Sequence, residues 1–143
     1  MQRRASAVWL GDVKSGQGSL STDSGVLEKT QYSFSSRFAD GIGTNPEELL
    51  AAAHAGCFAM AVSTQLGKAG LNPLKLEVTA TITLEIVAGH HAITKSHLDL
   101  SAHVPGAPQA AFDAAVGVAE TGCPVSKLFR AEISVDAKLD ASV

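Results

Sequence analysis

The chain has 143 residues, of which 45% are apolar, and its net charge at neutral pH is −3. This length fits a single domain with a core of its own, and the apolar content argues against disorder. Acidic and basic residues are scattered, without the basic patch and stacking aromatics typical of a nucleic-acid binder. We therefore expect one domain over residues 1–143 and no nucleic-acid partner.

The N-terminus carries two arginines but no apolar segment before Gly11, so we expect no signal peptide. The longest apolar run falls short of the roughly 20 residues that span a bilayer, and His54 interrupts it. Two cysteines are too few for the disulfide framework of a small secreted protein. These features favour a soluble, cytoplasmic protein without membrane contact.

Residues 5–38 are expected to form strands joined by turns. Serine- and glycine-containing segments at 15–18 and 23–25 are typical of turns. Over residues 31–38 aromatic and polar side chains alternate, with Tyr32, Phe34 and Phe38 on one side. This period of two predicts a strand that carries Arg37 on its polar face.

An apolar segment over residues 43–67 predicts a long central helix. Pro46 suits the first helical position, because its φ is already fixed and it has no N–H to leave unpaired. Glu47 follows in the first turn, where the helix dipole favours negative charge. From 49 to 62 only His54 interrupts the apolar and small residues, so we expect burial on all sides. One small sheet cannot surround such a helix, which predicts a second subunit.

The second half of the chain alternates strand and helix patterns. Two segments with period-two alternation predict an antiparallel hairpin with a turn near residues 88–90. Two helices and a last strand should follow. The predicted segments are 76–86 and 98–104 for the hairpin, 109–120 and 124–129 for the helices, and 133–139 for the strand. This order of elements is typical of an α+β domain.

The two cysteines are either inert core thiols or a redox pair. Free cysteine is among the most buried residue types, which favours the inert reading from composition alone. Cys57 lies too far into its helix for the dipole to stabilise a thiolate, so it would need a cation, and Arg37 on the preceding predicted strand is the candidate. Glu47 projects into the same quadrant of the helix as Cys57 and could hold the guanidinium by a bidentate pair. Cys123 precedes Pro124 at a helix N-cap, where N–H groups favour a thiolate.

The histidines do not form a convincing metal site. His54 and Cys57 are spaced to supply two ligands from one helix face, but no third ligand is apparent and structural zinc takes four. His97 and His103 share a strand face but lie roughly 20 Å apart. We expect no metal and no cofactor, and we interpret His54 as a hydrogen-bonded core or site-lining residue.

Two motifs carry a resemblance to a known family. Residues 43–58 (GTNPEELLAAAHAGCF) and 123–127 (CPVSK) resemble the OsmC/Ohr family of osmotically inducible and organic hydroperoxide resistance proteins. The residues of both motifs are more similar to the OsmC branch than to the Ohr branch. The likeness covers nearly the whole chain. It implies an OsmC-like α+β fold in which antiparallel sheets wrap around long central helices in an intertwined homodimer.

The resemblance also implies a thiol-dependent peroxidase that reduces organic hydroperoxides, and hydrogen peroxide more weakly, in oxidative and osmotic stress defence. Cys57 matches the peroxide-attacking cysteine and Cys123 the resolving one. Arg37 matches the arginine that activates the thiolate, and Glu47 the acid that holds this arginine. The resemblance further implies that a dithiol on a lipoyl-bearing protein would reduce the resulting disulfide.

The substrate pocket and the alternative functions rest on apolar residues. Phe38, Leu50 and Phe58 would suit an alkyl tail, with His54 as a further lining residue. The same cleft would also serve a non-catalytic binding module for a small hydrophobic ligand, which predicts unreactive thiols. A purely structural stress protein would tolerate loss of both cysteines.

Overall fold

A computed structural model describes all 143 residues of the chain. The fold is α+β, as expected, with two three-stranded sheets and four helices. The chain divides into two compact units, Met1–Leu49 and Leu50–Val143. The assignment of residues 1–143 to one domain stays a prediction.

The first unit contains a small antiparallel sheet. Its strands are β1 (Ala5–Leu10), β2 (Gln17–Thr22) and β3 (Thr30–Tyr32). The rings of Trp9 and Tyr32 have centroids 5.4 Å apart and both approach Gly18, where any side chain would collide with them. A glycine at this position therefore lets the two aromatic rings pack across the sheet.

The predicted strand over residues 31–38 is wrong beyond Tyr32, because a short helix, α1 (Phe34–Phe38), follows β3. The Ser33 hydroxyl accepts a hydrogen bond from the Ser36 N–H, and the Ser36 hydroxyl accepts one from the Ser33 N–H. This capping box satisfies two backbone donors and stabilises the first helical turn. The alternation of polar and aromatic residues concealed this helix, because three of the five polar residues in the segment are serines, whose side chains can form local hydrogen bonds with the backbone.

The predicted central helix is α2 (Pro46–Lys68), and it begins at Pro46. The Asn45 side-chain oxygen accepts a hydrogen bond from the Glu48 N–H and so caps the first turn. Four side chains of α2 are buried, and they lie on one side at intervals of four residues: His54, Phe58, Val62 and Leu66. Within one chain, α2 is therefore not buried on all sides, and Met60 remains 74% exposed.

By length and composition, α2 also meets the criteria for a membrane-crossing helix. The expectation concerned the uninterrupted apolar run, whereas α2 meets these criteria as a whole 23-residue helix that includes His54. The core helix of a soluble protein has the same length and composition. The finding alone therefore does not place α2 in a bilayer.

The second unit is built on a longer sheet. The predicted hairpin is confirmed: β4 (Lys75–Val87) and β5 (His90–His103) pair antiparallel. Ala88 and Gly89 form its two-residue turn with φ of 50° and 79°, the positive values that a tight hairpin turn requires. The last strand, β6 (Glu132–Asp140), pairs parallel with β5.

Two helices connect β5 to β6, as a parallel pair requires a crossover. They are α3 (Gln109–Gly122) and α4 (Pro124–Leu128), and both match predicted helices. The core of this unit lies between one sheet face, α2 and α3, and its members include Phe58, Val62, Leu66, Leu98 and Phe112. Cys123, between α3 and α4, is also fully buried.

Candidate active site

Cys57 of α2 and Cys123 lie side by side in the second unit. Their sulfur atoms are 2.8 Å apart, and both are free thiols. Cys123 is fully buried, whereas Cys57 is only half-buried. A disulfide bond is about 2.05 Å long, so a small movement would join the two sulfurs. Cys57 is the sulfur that a molecule from solvent reaches first.

The local sequence explains where Cys123 sits. Its N–H donates to the Ala119 carbonyl at the end of α3, and its carbonyl accepts from the Lys127 N–H in α4. Pro124 occupies the first position of α4, and Cys123 is the N-cap, as the sequence predicted. The sulfur therefore lies beside the free N–H groups at the start of α4.

The two thiols differ in acidity. Burial raises the pKa of Cys57 above its ordinary value of 9.0 and the hydrogen bond with Cys123 raises it further, against a smaller opposite effect of the Val125 N–H. Burial also acts to raise the pKa of Cys123. Hydrogen bonds with Cys57, with the N–H and hydroxyl of Ser126 and with the Val125 N–H outweigh burial, so its pKa falls below 9.0. A thiolate at Cys57 therefore needs an additional positive charge.

Arg37 and Glu47 form an ion pair within the first unit. Arg37 Nη2 lies 2.7 Å from Glu47 Oε1, and Arg37 Nε lies 3.0 and 3.2 Å from the two carboxylate oxygens. This is the bidentate contact that the sequence predicted, and it fixes the plane of the guanidinium. The Phe38 ring centroid lies 5.1 Å from the guanidinium carbon, within cation–π range.

A cavity of about 310 Å³ opens beside Arg37 in the first unit. Its walls are largely aromatic, with Trp9, Tyr32, Phe34 and Phe38 among the lining residues. Apolar walls around one cation are suited to a ligand with a hydrocarbon body and a single polar group. Phe38 thus borders an opening, and its role in binding substrate stays a prediction.

The other predicted pocket residues lie in the second unit. Leu50 lines a shallow apolar depression together with Ile93 and Phe129. Phe58 is fully buried and packs in the core. Its contribution as a substrate wall stays a prediction, since its visible role is packing.

His54 is fully buried and both of its ring nitrogens are hydrogen-bonded. Nδ1 lies 2.6 Å from Ser96 Oγ, and Nε2 lies 2.8 Å from Ser126 Oγ. Burial lowers the pKa of His54 below its ordinary 6.5, so the imidazole is neutral at pH 7. The hydrogen-bonded core histidine was predicted, but Ser96 and Ser126 were missed, because their positions carry no spacing signal relative to residue 54.

A possible metal-ligand group lies on the outer face of the second sheet. His97 Nε2 lies 3.5 Å from an oxygen of Asp99 and 3.3 Å from an oxygen of Asp136. Both aspartates are exposed, and exposed acidic groups are common without an ion. From the sequence, His97 was considered as a metal ligand together with His103, and not together with these aspartates. The expectation of no metal stays a prediction.

The comparisons with known proteins identify the family. Residues 39–138 match the family described as OsmC-like protein. The chain belongs to the OsmC family. It is 45% identical over 139 residues to "Peroxiredoxin OsmC" of Escherichia coli strain K12, covering 97% of each chain. It is 32% identical over 98 residues to the "Organic hydroperoxide resistance protein" of Xanthomonas axonopodis pv. citri, covering 68% of this chain and 67% of that one.

Solved structures agree with this assignment at the level of the fold. An OsmC-like protein from Vibrio cholerae superposes with a TM-score of 0.77 at 15% identity, covering 96% of this chain and 99% of that one. An organic hydroperoxide resistance protein of Bacillus subtilis gives 0.68 at 23% identity, covering 96% and 98%. The expected family and fold are thus confirmed, and the names of the sequence relatives support a peroxidase-type role.

The buried position of His54 predicts a pH dependence of stability. Because burial lowers the pKa of His54 in the folded state, the unfolded chain takes up the proton first as the pH falls. This residue therefore reduces stability progressively below about pH 6.5 and has no such effect well above it. The test compares pH 7.5 with pH 5.5, about one unit either side of that value. Between them, we expect the midpoint of urea unfolding to fall less in His54→Gln than in the unsubstituted protein.

The matched control is His90→Gln, which removes an exposed histidine at the start of β5. The control accounts for the general effect of losing one imidazole. If the midpoints of the unsubstituted protein and His54→Gln fall by the same amount, His54 is not a buried neutral histidine.

Proposed function

We propose that this protein is a thiol-dependent peroxidase that reduces organic hydroperoxides, and hydrogen peroxide more weakly, by a two-cysteine cycle in oxidative and osmotic stress defence. The observation that carries the proposal is the pair of free thiols 2.8 Å apart, one accessible and one buried. Relatives named as a peroxiredoxin and as organic hydroperoxide resistance proteins support the same reaction class.

In the first step, the Cys57 thiolate attacks the distal oxygen of the hydroperoxide. An S–O bond forms as the O–O bond breaks, and the departing alkoxide takes up a proton and leaves as the alcohol. Cys57 is thereby oxidised to a sulfenic acid. Cys57 is assigned this step because Cys123 is shielded from solvent.

In the second step, the Cys123 sulfur attacks the Cys57 sulfenic sulfur. The S–S bond forms, the S–O bond breaks, and the hydroxide leaves as water after taking up a proton. The disulfide prevents further oxidation of Cys57 to the sulfinic acid. An external dithiol, which we suggest is carried on a lipoyl-bearing protein, restores both thiols by exchange and is itself oxidised to a disulfide.

Arg37 supplies the positive charge that the first step requires. Burial and the hydrogen bond with Cys123 both raise the pKa of Cys57, so the thiolate is scarce at neutral pH without a cation. A guanidinium stays charged at every physiological pH, and Glu47 holds that of Arg37 in one direction. We propose that Arg37 stabilises a Cys57 thiolate in the assembled protein and that Glu47 positions the Arg37 guanidinium.

The apolar surfaces near these groups suit the hydrocarbon part of an organic hydroperoxide. Phe38 borders the aromatic cavity beside Arg37, and Leu50 lines the depression next to α4. We assign both to the alkyl or aryl tail, whose burial is favourable by about 25 cal/mol per Å². His54 and Phe58 form the buried support behind Cys57. No cofactor or metal takes part in this cycle.

We further propose that the protein is a cytoplasmic homodimer. The exposed side of α2 carries apolar and small residues, among them Ala53, Gly56 and Met60. Small residues allow another helix to approach closely, and a second copy would remove this surface from water. The reducing cytoplasm would keep both cysteines as free thiols between turnovers.

The cysteine assignment predicts the outcome of a thiol count. One equivalent of cumene hydroperoxide added to the reduced protein should consume both thiols and form an intramolecular Cys57–Cys123 disulfide, detected by mass spectrometry after denaturation. Cys57→Ser should abolish turnover. Cys123→Ser should release one equivalent of alcohol and then stop, because the sulfenic acid has no resolving partner.

Survival of both thiols would overturn the peroxidase and would favour a binding module that holds a small hydrophobic ligand without chemistry. Full turnover by Cys57→Ser would overturn the assignment of the attacking residue. Unchanged function of both variants would favour a structural role.

The role of Arg37 predicts a pH-dependent loss of rate. Arg37→Met should slow sulfenic acid formation at pH 7 about a hundredfold, since it removes the charge that stabilises the thiolate and the developing alkoxide. Glu47→Gln should slow it about tenfold, because the guanidinium loses its orientation. The deficit of Arg37→Met should shrink at alkaline pH, where Cys57 ionises without help.

The control for this experiment is Arg4→Met, which breaks the exposed Arg4–Asp23 pair in the same unit. Rates are measured by stopped-flow consumption of cumene hydroperoxide. Equal rates for Arg37→Met and Arg4→Met at pH 7 would exclude Arg37 from activation.

The dimer predicts sensitivity to charge on the exposed side of α2. Met60→Asp should convert the dimer to a monomer, because a carboxylate at a buried contact loses its hydration without gaining a partner. Lys138→Asp on the outer sheet face is the control and should remain dimeric. Light scattering after size exclusion distinguishes the two, and a monomeric unsubstituted protein at micromolar concentration would overturn the proposal.

A further inference from the structure

A buried chain of polar groups runs from the sheet to the sulfur of Cys123. It begins at Ser96 on β5, passes through both ring nitrogens of His54 on α2, and continues to Ser126 on α4. Ser126 follows Cys123 by three positions, in the first turn of the helix that Cys123 caps, and its N–H and hydroxyl both act to lower the pKa of Cys123. We propose that His54 is a positioning residue that acts through the Ser126 hydroxyl to stabilise the Cys123 thiolate for the disulfide-forming step. The inference rests on the proposed peroxidase cycle and assigns a role within it.

The burial of this chain argues that it is more than a surface contact. Ser96 and His54 have no exposed surface, and Ser126 is 7% exposed. Three polar side chains from three elements occupy positions in or beside an apolar core, where each would cost free energy if its partners were missing. No buried side-chain nitrogen or oxygen in the protein lacks a partner. The chain is therefore satisfied at every atom and fixes the ring of His54 in one orientation.

In one tautomer of His54, the donor of each hydrogen bond in the chain points toward the Cys123 sulfur. Ser96 donates its hydroxyl proton to Nδ1, Nε2–H donates to the Ser126 oxygen, and the Ser126 hydroxyl is then free to donate to the Cys123 thiolate. Hydrogen bonds arranged in series polarise one another, so each strengthens the next. When Cys123 is a protonated thiol, the donors can reverse and the same atoms remain paired.

The surroundings of His54 favour positioning over general-base catalysis. The groups that face the ring are the hydroxyls of Ser96 and Ser126 and the edge-on ring of Phe129, and none of them is charged. Burial without a carboxylate partner disfavours the imidazolium. The ring therefore does not take the Cys123 proton but holds the Ser126 hydroxyl ready to donate.

This role has a consequence for the resolving step. A Cys123 thiolate attacks the Cys57 sulfenic sulfur, the S–S bond forms, and hydroxide leaves and takes up a proton to become water. The rate depends on the fraction of Cys123 that is ionised. Stabilising that thiolate shortens the lifetime of the sulfenic acid and so protects Cys57 from a second oxidation.

The first test measures the acidity of Cys123 directly and needs no peroxide. In a Cys57→Ser protein, Cys123 is the sole thiol, and its ionisation is followed by the ultraviolet absorbance of the thiolate. Adding Ser126→Ala or His54→Gln should raise the pKa of Cys123, because the last donor is removed or loses its direction. Adding Ser126→Thr, which keeps the hydroxyl, should leave the pKa unchanged.

The chain offers a matched control on the outer sheet face. His97 Nδ1 lies 2.6 Å from Ser134 Oγ, the same separation as in the His54–Ser96 contact, but with no thiol beyond it. His97→Gln and Ser134→Ala should leave the pKa of Cys123 unchanged. A pKa that stays constant in Ser126→Ala, or that shifts equally in Ser134→Ala, would overturn the proposal.

The second test separates the two chemical steps in proteins that retain both cysteines. Ser126→Ala should form the Cys57 sulfenic acid at the unsubstituted rate but close the disulfide about tenfold more slowly at pH 7, and the deficit should vanish at alkaline pH. His54→Gln should slow disulfide closure in the same way. An unchanged rate of disulfide formation would overturn the role in resolution. If His54→Gln does not fold, the Ser126 variants decide alone.

The two proposals fail in different ways. If the unsubstituted protein forms neither sulfenic acid nor disulfide, the peroxidase is overturned, while the titration of Cys123 still decides the hydrogen-bonded chain. If the cycle runs but Cys123 has the same pKa in Ser126→Ala and Ser126→Thr, only the role of His54 and Ser126 is overturned.

Discussion

The approach of the Cys57 sulfur on α2 to the Cys123 sulfur between α3 and α4, at 2.8 Å, is the constraint around which the candidate site is arranged. Two thiolates at this distance would repel strongly, so the pair holds at least one proton and the two thiols share it unequally. The backbone fixes the position of Cys123, which is both the C-cap of α3 and the N-cap of α4, while α2 carries Cys57.

The two sulfurs differ in their access to solvent and in how well their surroundings stabilise a negative charge. The buried sulfur of Cys123 has helix N–H groups and the Ser126 hydroxyl around it, and these stabilise an anion without any full positive charge. The accessible sulfur of Cys57 has burial and a neighbouring thiol, which disfavour an anion. The local structure therefore favours a thiolate at Cys123 but leaves a thiolate at Cys57 dependent on a cation.

Local rules of sequence were sufficient for the residues whose partners lie on the same or adjacent elements. Glu47, in the same helix quadrant as Cys57, predicted the ion pair with Arg37, and Cys123 before Pro124 predicted an N-cap. The rules failed for Arg37's own element, because the alternation over residues 31–38 is compatible with either a strand or a capped helix. They could not find Ser96 or Ser126, since serine is common and these contacts to His54 span 42 and 72 positions.

Two requirements are not met within a single chain, and association with a second copy would meet both. Cys57 requires a positive charge beyond the groups that set its pKa, and α2 exposes an apolar side that water solvates poorly. Protein surface brought against α2 by a second copy would bury that side and lower the dielectric constant around the half-buried sulfur. In that environment a guanidinium interacts more strongly with a thiolate than it does in water. If the proposed dimer forms, assembly and thiol activation are therefore expected to be coupled, because the burial that would stabilise the dimer would also strengthen the charge interaction required by the proposed attack of Cys57.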